Sequence, residues 1–174
     1  MSNRPRILLF TGDGKGKTTA AFGMVLRAVG GGLRCVVLHF LKEDDSVGEF
    51  TALQRLGVPV RMAGLGFVPS PNSPQFQEHA AAASAAISAA AVCCDDPAID
   101  MVVLDEICGA VALGLVAESA VVSLCENARL DKILVLTGRG ATPALMTLAD
   151  TVTEMRLVKH AYDQNIPASR GIEF

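Results

Sequence analysis

Arg6-Ile-Leu-Leu-Phe-Thr-Gly-Asp-Gly-Lys-Gly-Lys-Thr-Thr19 is the stretch on which the fold turns. A short apolar run, Ile7 to Phe10, stops at three glycines interleaved with two lysines and followed by paired threonines. Directly after comes Ala20-Ala-Phe-Gly-Met-Val-Leu-Arg27, a good helix former. Strand, glycine loop and helix are what a phosphate-binding loop requires. Glycines let backbone N–H groups turn inward, and the helix N-terminus adds partial positive charge. In such a loop Lys17 reaches phosphate oxygens and the Thr18 hydroxyl holds Mg²⁺. The pattern G-x-x-x-x-G-K-[ST] asks for glycine where this chain has Thr11, and Lys15 is an extra cation inside the loop. A glycine-rich turn without a ligand is the plain alternative. The flanking strand and helix favour a nucleoside-triphosphate site.

Outward from the loop, a helix is expected over 17–29, ended by Gly30-Gly31-Gly32. Residues 34–41 read as a strand apolar on both faces, hence central and parallel. Residues 42–46 form a charged loop, better read as a solvated turn than as a metal site. A short helix follows over 48–56 and an edge-type strand over 58–62. Three prolines and two glycines make 63–74 a loop, in which Phe67 has no core stripe to join. Alanine propensity predicts a long helix over 75–93.

The second informative stretch is Ile99-Asp-Met-Val-Val-Leu-Asp-Glu106. An apolar run ending in two acids describes a buried strand that delivers Asp105 and Glu106 at its C-terminal edge. There carboxylates hold a metal shell or position a water beside a phosphate loop. A helix over 118–128 and a buried strand over 132–136 follow. Thr137-Gly-Arg-Gly140 then suggests a bend that aims Arg139 at the nucleotide, a plain turn with a solvated arginine being the alternative. A short helix over 142–149, a last long strand over 151–158 and a tail over 159–174 lying on the sheet edge complete the chain. The expected fold is α/β: one domain over 1–174, a P-loop (RecA-like) three-layer sandwich with a mostly parallel sheet of about six strands. The candidate site residues fall at C-terminal strand ends, where ligands sit in such folds.

Composition narrows the function classes. The chain has 174 residues, 51% apolar and 19% charged, a globular balance with room for a core. A net charge of −3 argues against nucleic acid as a main partner. The N-terminal apolar run is too short for a signal peptide or a membrane span, so a cytoplasmic address is expected. Five cysteines (35, 93, 94, 108 and 125) show neither C-x-x-C nor zinc spacing, and are expected to be buried thiols.

The loop from Thr11 to Gly23, Leu104-Asp-Glu106 and Leu136-Thr-Gly-Arg-Gly140 together resemble the ATP:corrinoid adenosyltransferases of the cobalamin pathway. The endings Ala149-Asp-Thr-Val-Thr-Glu-Met-Arg-Leu-Val-Lys-His160 and Arg170-Gly-Ile-Glu-Phe174 resemble that family's C-terminal signature, so the likeness covers nearly the whole chain. Thr11 and Lys15 are themselves typical of the family. The resemblance implies attack of a Co(I) corrinoid on the 5′ carbon of ATP, with triphosphate leaving. Such a reaction needs placement and charge stabilisation rather than a proton-transfer triad.

The same resemblance implies ATP contacts from Gly12, Asp13, Gly14, Lys15, Gly16, Lys17, Thr18, Thr19, Arg27 and Arg139. It implies catalytic roles for Lys15, Lys17 and Glu106, and Mg²⁺ or Mn²⁺ on Thr18, Asp105 and Glu106. A flavodoxin-like electron-donating reductase and a homodimer are implied as well. Corrinoid contact is implied for Phe67 and Pro69, in Gly66-Phe67-Val68-Pro69, where the family usually has Gly-Phe-Thr-Trp. Pro69 thus stands in place of tryptophan, Cys108 where asparagine is common and Glu43 where glycine is. Two other readings use the same residues. One is a small kinase or ATPase in which Glu106 activates water or an acceptor, and the other is a non-catalytic ATP- or corrinoid-binding sensor or chaperone.

Overall fold

The computed structural model describes residues 4–43 and 48–172. The expected strand, loop and helix form: β1 is Arg6–Thr11 and α1 is Lys17–Gly30. They are followed by β2 (Cys35–His39), α2 (Gly48–Arg55), β3 (Val60–Met62) and α3 (Pro74–Asp95). Next come β4 (Met101–Asp105), α4 (Ile107–Ala112), α5 (Glu118–Asn127) and β5 (Ile133–Thr137). The last elements are α6 (Pro143–Leu148), β6 (Thr151–Glu154) and a short 3₁₀ turn, Tyr162–Gln164. The expected charged loop over 42–46 lies partly outside the described residues.

The six strands run in the order β3-β2-β4-β5-β1-β6, and every pairing is parallel. The expectation of a mostly parallel sheet is met in its strict form. Strand period explains the two cores. Val36, Leu38, Val102, Leu104, Leu134 and Leu136 face α3 to α6, whereas Cys35, Val37, Met101, Val103 and Val135 face α1 and α2. Central strands covered on both faces are buried at every position and read as near-continuous apolar runs, as β2 and β4 do up to their last residues, His39 and Asp105. All five cysteines are free and buried, four of them in the α3 to α6 layer.

Two expectations are corrected. The last strand is four residues long rather than spanning 151–158, because its neighbour β1 ends at Thr11 and leaves nothing beyond Glu154 to pair with. Past that point Met155 turns onto the loop instead: its N–H donates to Thr11 O (2.8 Å) and its carbonyl accepts from Gly14 N–H (2.7 Å). The tail therefore does more than cover a sheet edge, since His160, Gly171 and Ile172 help wall the cleft above the loop. A helix absent from the sequence reading, α4, begins immediately after the acidic pair.

Candidate nucleotide site

The order of strands brings β1, β2, β4 and β5 side by side, so their C-terminal ends meet around one cleft of about 790 Å³. Asp13 to Thr19 form its floor, Glu106 and Arg139 enter from the ends of β4 and β5, and Lys42 follows β2. The opposite wall is apolar, made by Phe22 and Leu26 of α1 with Ala52 and Leu53 of α2. Polar floor and apolar wall suit a ligand with a charged end and a flat or apolar end.

The loop's glycines divide into two kinds. Gly12 (φ 94°) and Gly16 (φ 115°) adopt left-handed backbone that side-chain-bearing residues avoid. Thr11 needs no such freedom: it ends β1, is buried, and its Oγ1 accepts from Ala141 N–H at 3.3 Å. That is why threonine serves where the common pattern has glycine. Gly14 is required for a different reason, because a Cβ there would lie 2.7 Å from Met155 O. Lys17 is buried, and its Nζ donates to Gly12 O (2.7 Å) and Gly14 O (2.8 Å), bracing the loop from within. Burial pushes its pKa down from 10.5, partly offset by Glu106.

Behind the loop stands Asp105, with no exposed surface. Its Oδ1 accepts from Thr18 Oγ1 at 3.0 Å and from Thr137 Oγ1 at 2.6 Å. Its Oδ2 lies 3.1 Å from His39 Nε2 without a directed hydrogen bond. His39 Nδ1 accepts from Leu41 N–H (3.3 Å) and Lys42 N–H (3.2 Å), which leaves the ring proton on Nε2, toward Asp105. Burial holds the His39 pKa below 6.5, so the ring is neutral at pH 7.

Glu106 takes a left-handed conformation (φ 62°) at the head of α4, and its N–H donates to Thr137 Oγ1 at 2.9 Å. Burial, and then the charge of Asp105, push its pKa above 4.5. Thr18, Asp105 and Glu106 offer hard oxygen donors, a hydroxyl and two carboxylates, with Asp105 Oδ1 beside the Thr18 hydroxyl. Mg²⁺ sites use one or two carboxylates completed by substrate phosphates and water, and these residues fit that pattern.

Of the residues expected at the site, Asp13, Gly14, Lys15, Gly16, Lys17, Thr18, Thr19, Glu106 and Arg139 line the cleft. Gly12 and Asp105 lie directly behind it, through Lys17 and Thr18. Arg27 is not brought in. It is exposed on the last turn of α1, ten residues and about 15 Å along the axis from Lys17. Phe67, 94% exposed, and the half-buried Pro69 sit on the loop after β3, outside the cleft lining. Sequence reasoning passed over Thr137, His39, Lys42, Glu49 and His160. Thr137 had a signal, as the polar end of an apolar strand beside the acidic one, while His39 was hidden inside a run of apolar residues.

Residues 3–174 match the family described as ATP:corrinoid adenosyltransferase BtuR/CobO/CobP. The chain belongs to this family. It is 38% identical over 168 residues to the corrinoid adenosyltransferase CobA of Salmonella typhimurium, covering 97% of this chain and 85% of that one. Identity to the corrinoid adenosyltransferase of Escherichia coli K12 is 37%, with the same coverage, and to that of Pseudomonas aeruginosa 39%, covering 97% and 83%. The family membership accords with the α/β sandwich and its all-parallel sheet. Among the described residues no helix is long and apolar enough to cross a membrane.

Proposed function

We propose that this protein transfers the 5′-deoxyadenosyl group of ATP to the Co(I) of a reduced corrinoid and releases triphosphate. The observation that carries the reading is the cleft itself: a loop with two lysines, Arg139 and Glu106 in its lining, and Asp105 behind Thr18. The cobalt electron pair forms the Co–C5′ bond while the C5′–O bond breaks. That bonding pair leaves with the triphosphate, and cobalt passes formally from Co(I) to Co(III). No proton is transferred, so the demand on the protein is alignment and charge stabilisation of the leaving group. Lys15, Lys17, Arg139 and the loop N–H groups supply that charge. Asp13, Thr19 and Gly16 shape the floor that holds the phosphates. Mg²⁺ or Mn²⁺, held by Thr18 and the acids, would neutralise part of the triphosphate charge.

Phe67 and Pro69 are offered as corrinoid contacts, supported by the exposure of the aromatic ring on the same side of the sheet as the loop. Arg27 as a phosphate contact requires its side chain to move in from its exposed place on the last turn of α1. A flavodoxin-like reductase as electron source, a homodimer, one catalytic domain and a cytoplasmic setting complete the proposal. Five unpaired thiols agree with a reducing compartment.

The test is an anaerobic assay with ATP, Mg²⁺ and chemically reduced corrinoid, following adenosylcorrinoid absorbance and the phosphate product. Triphosphate formed one-for-one with adenosylated cobalt is expected. Tight ATP binding without a cobalt–carbon bond would instead favour a sensor, and orthophosphate or ADP a kinase or ATPase.

A further inference from the structure

Thr137 closes β5 and is fully buried one strand away from the acidic pair. Its hydroxyl has a single hydrogen and two contacts. Asp105 Oδ1, 2.6 Å away, is a carboxylate oxygen and can only accept, so the hydrogen points there. The Glu106 N–H, 2.9 Å away, can only donate, so it uses a lone pair of the same oxygen. One hydroxyl thus ties together both acids of the site in a fixed sense.

We propose that Thr137 is the positioning residue that sets both acids of the reaction centre. Through Asp105 Oδ1, which Thr18 Oγ1 also contacts at 3.0 Å, it fixes the orientation of the carboxylate behind the loop threonine. Through the Glu106 N–H it holds a non-glycine residue in left-handed backbone, a conformation that persists only when its surroundings over-determine it. That conformation decides where the Glu106 carboxylate enters the cleft. The next residue shows how tightly this corner is set: a Cβ on Gly138 would lie 2.6 Å from Gly109 N, so β5 abuts the first turn of α4. Thr137 does not line the cleft, and its link to the loop is indirect, through Asp105 to Thr18. The loop is also held by Lys17 on Gly12 O and Gly14 O and by Gly14 N–H on Met155 O. Loss of its hydroxyl therefore acts on turnover more than on ATP affinity.

This inference rests on the adenosyltransferase reading, and the wild-type assay separates the two. Without adenosylated cobalt from wild type, the functional reading fails first. With it, Thr137→Val (same shape, no hydroxyl) and Thr137→Ser (hydroxyl kept) are compared by kcat, by ATP affinity from calorimetry, and by melting. Thr137→Val is expected to lower kcat by about tenfold or more, the scale of a lost hydrogen bond to a charged group, with ATP affinity held within about threefold. Thr137→Ser is expected to restore kcat to within about threefold of wild type. Wild-type kcat in Thr137→Val would overturn the proposal. So would a serine variant as poor as the valine one, or a loss of ATP affinity as large as the loss of kcat, since each would make the role one of packing.

Discussion

At the scale of single residues the site works against the stability of the ligand-free fold. Lys17 is desolvated in the loop and Glu106 is desolvated at the head of α4. Glu106 has a folded pKa above its ordinary 4.5, so the folded state holds the proton more tightly than the unfolded chain does. The associated stability is full below that ordinary value and is lost as pH rises through the raised one. At neutral pH the ionised carboxylate is therefore a cost that Gln does not carry. Glu106→Gln is expected to raise the melting temperature of the ligand-free protein near pH 7.5, an advantage that fades as pH falls below the ordinary carboxylate value of 4.5. The same variant is expected to lose turnover. A thermal-shift series across pH beside the adenosylation assay checks both signs, and a variant less stable at neutral pH would show that Lys17 and Arg139 outweigh desolvation. Lys17→Ala removes a cation from the cleft lining and two braces of the loop, and turnover is expected to fall by about 100-fold or more. Turnover close to wild type would remove Lys17 from the machinery.

At the scale of elements the loop glycines answer to the chain's own C-terminal segment. Gly14 has no positive φ, yet an added Cβ would lie 2.7 Å from Met155 O and 2.8 Å from the Arg156 carbonyl. Gly14→Ala is thus expected to push Met155 away and stretch the Gly14 N–H to Met155 O bond. The cost is about 1–3 kcal/mol, measured by denaturant melting, together with weaker ATP binding. An alanine variant of native stability would mean that the segment yields freely.

The sequence made the need for glycine visible but not its cause at Gly14, because the partner lies 141 positions away. The same limit explains the overlong last strand: residues 155–158 continue a plausible strand pattern, and only the end of β1 at Thr11 stops it. Helix α4 was missed because six residues, Ile-Cys-Gly-Ala-Val-Ala, are too few to show a period. By contrast β1, β2, β4 and β5 were legible. Burial on both faces leaves a central strand an almost continuous apolar run. The polar residue that ends each run (Thr11, His39, Asp105, Thr137) is buried behind the cleft, and the residues that line the cleft follow just after the strand ends.

At the scale of the molecule, the phosphate loop is held between two distant parts of the chain. Asp105 and Thr137 support it from the sheet, and the segment after β6 presses on it from the edge. Beyond Met155 most of the segment's side chains are exposed, Arg156, Lys159 and Arg170 among them. Its backbone is tied to the loop at Met155, and His160 and Ile172 reach the cleft wall. A protease that must seat several extended residues therefore cuts at Arg156 and Lys159 once the segment has left the loop. Detaching it would take away the acceptor for Gly14 N–H and one side of the nucleotide cleft. The state that binds ATP well is therefore the docked one, and ligand binding stabilises it by a factor of 1 + [L]/Kd. When cleavage is slow relative to redocking, the rate follows the population of the undocked state. At ATP concentrations 100 times Kd, trypsin cleavage at Arg156 and Lys159 is expected to slow by up to about 100-fold. Lys17→Ala, with its weakened affinity, is expected to show little protection at the same ATP concentration. Mass spectrometry of a digestion time course reads this directly. Equal rates with and without ATP in the wild-type protein would mean that the cleft binds nucleotide whether or not the tail is docked.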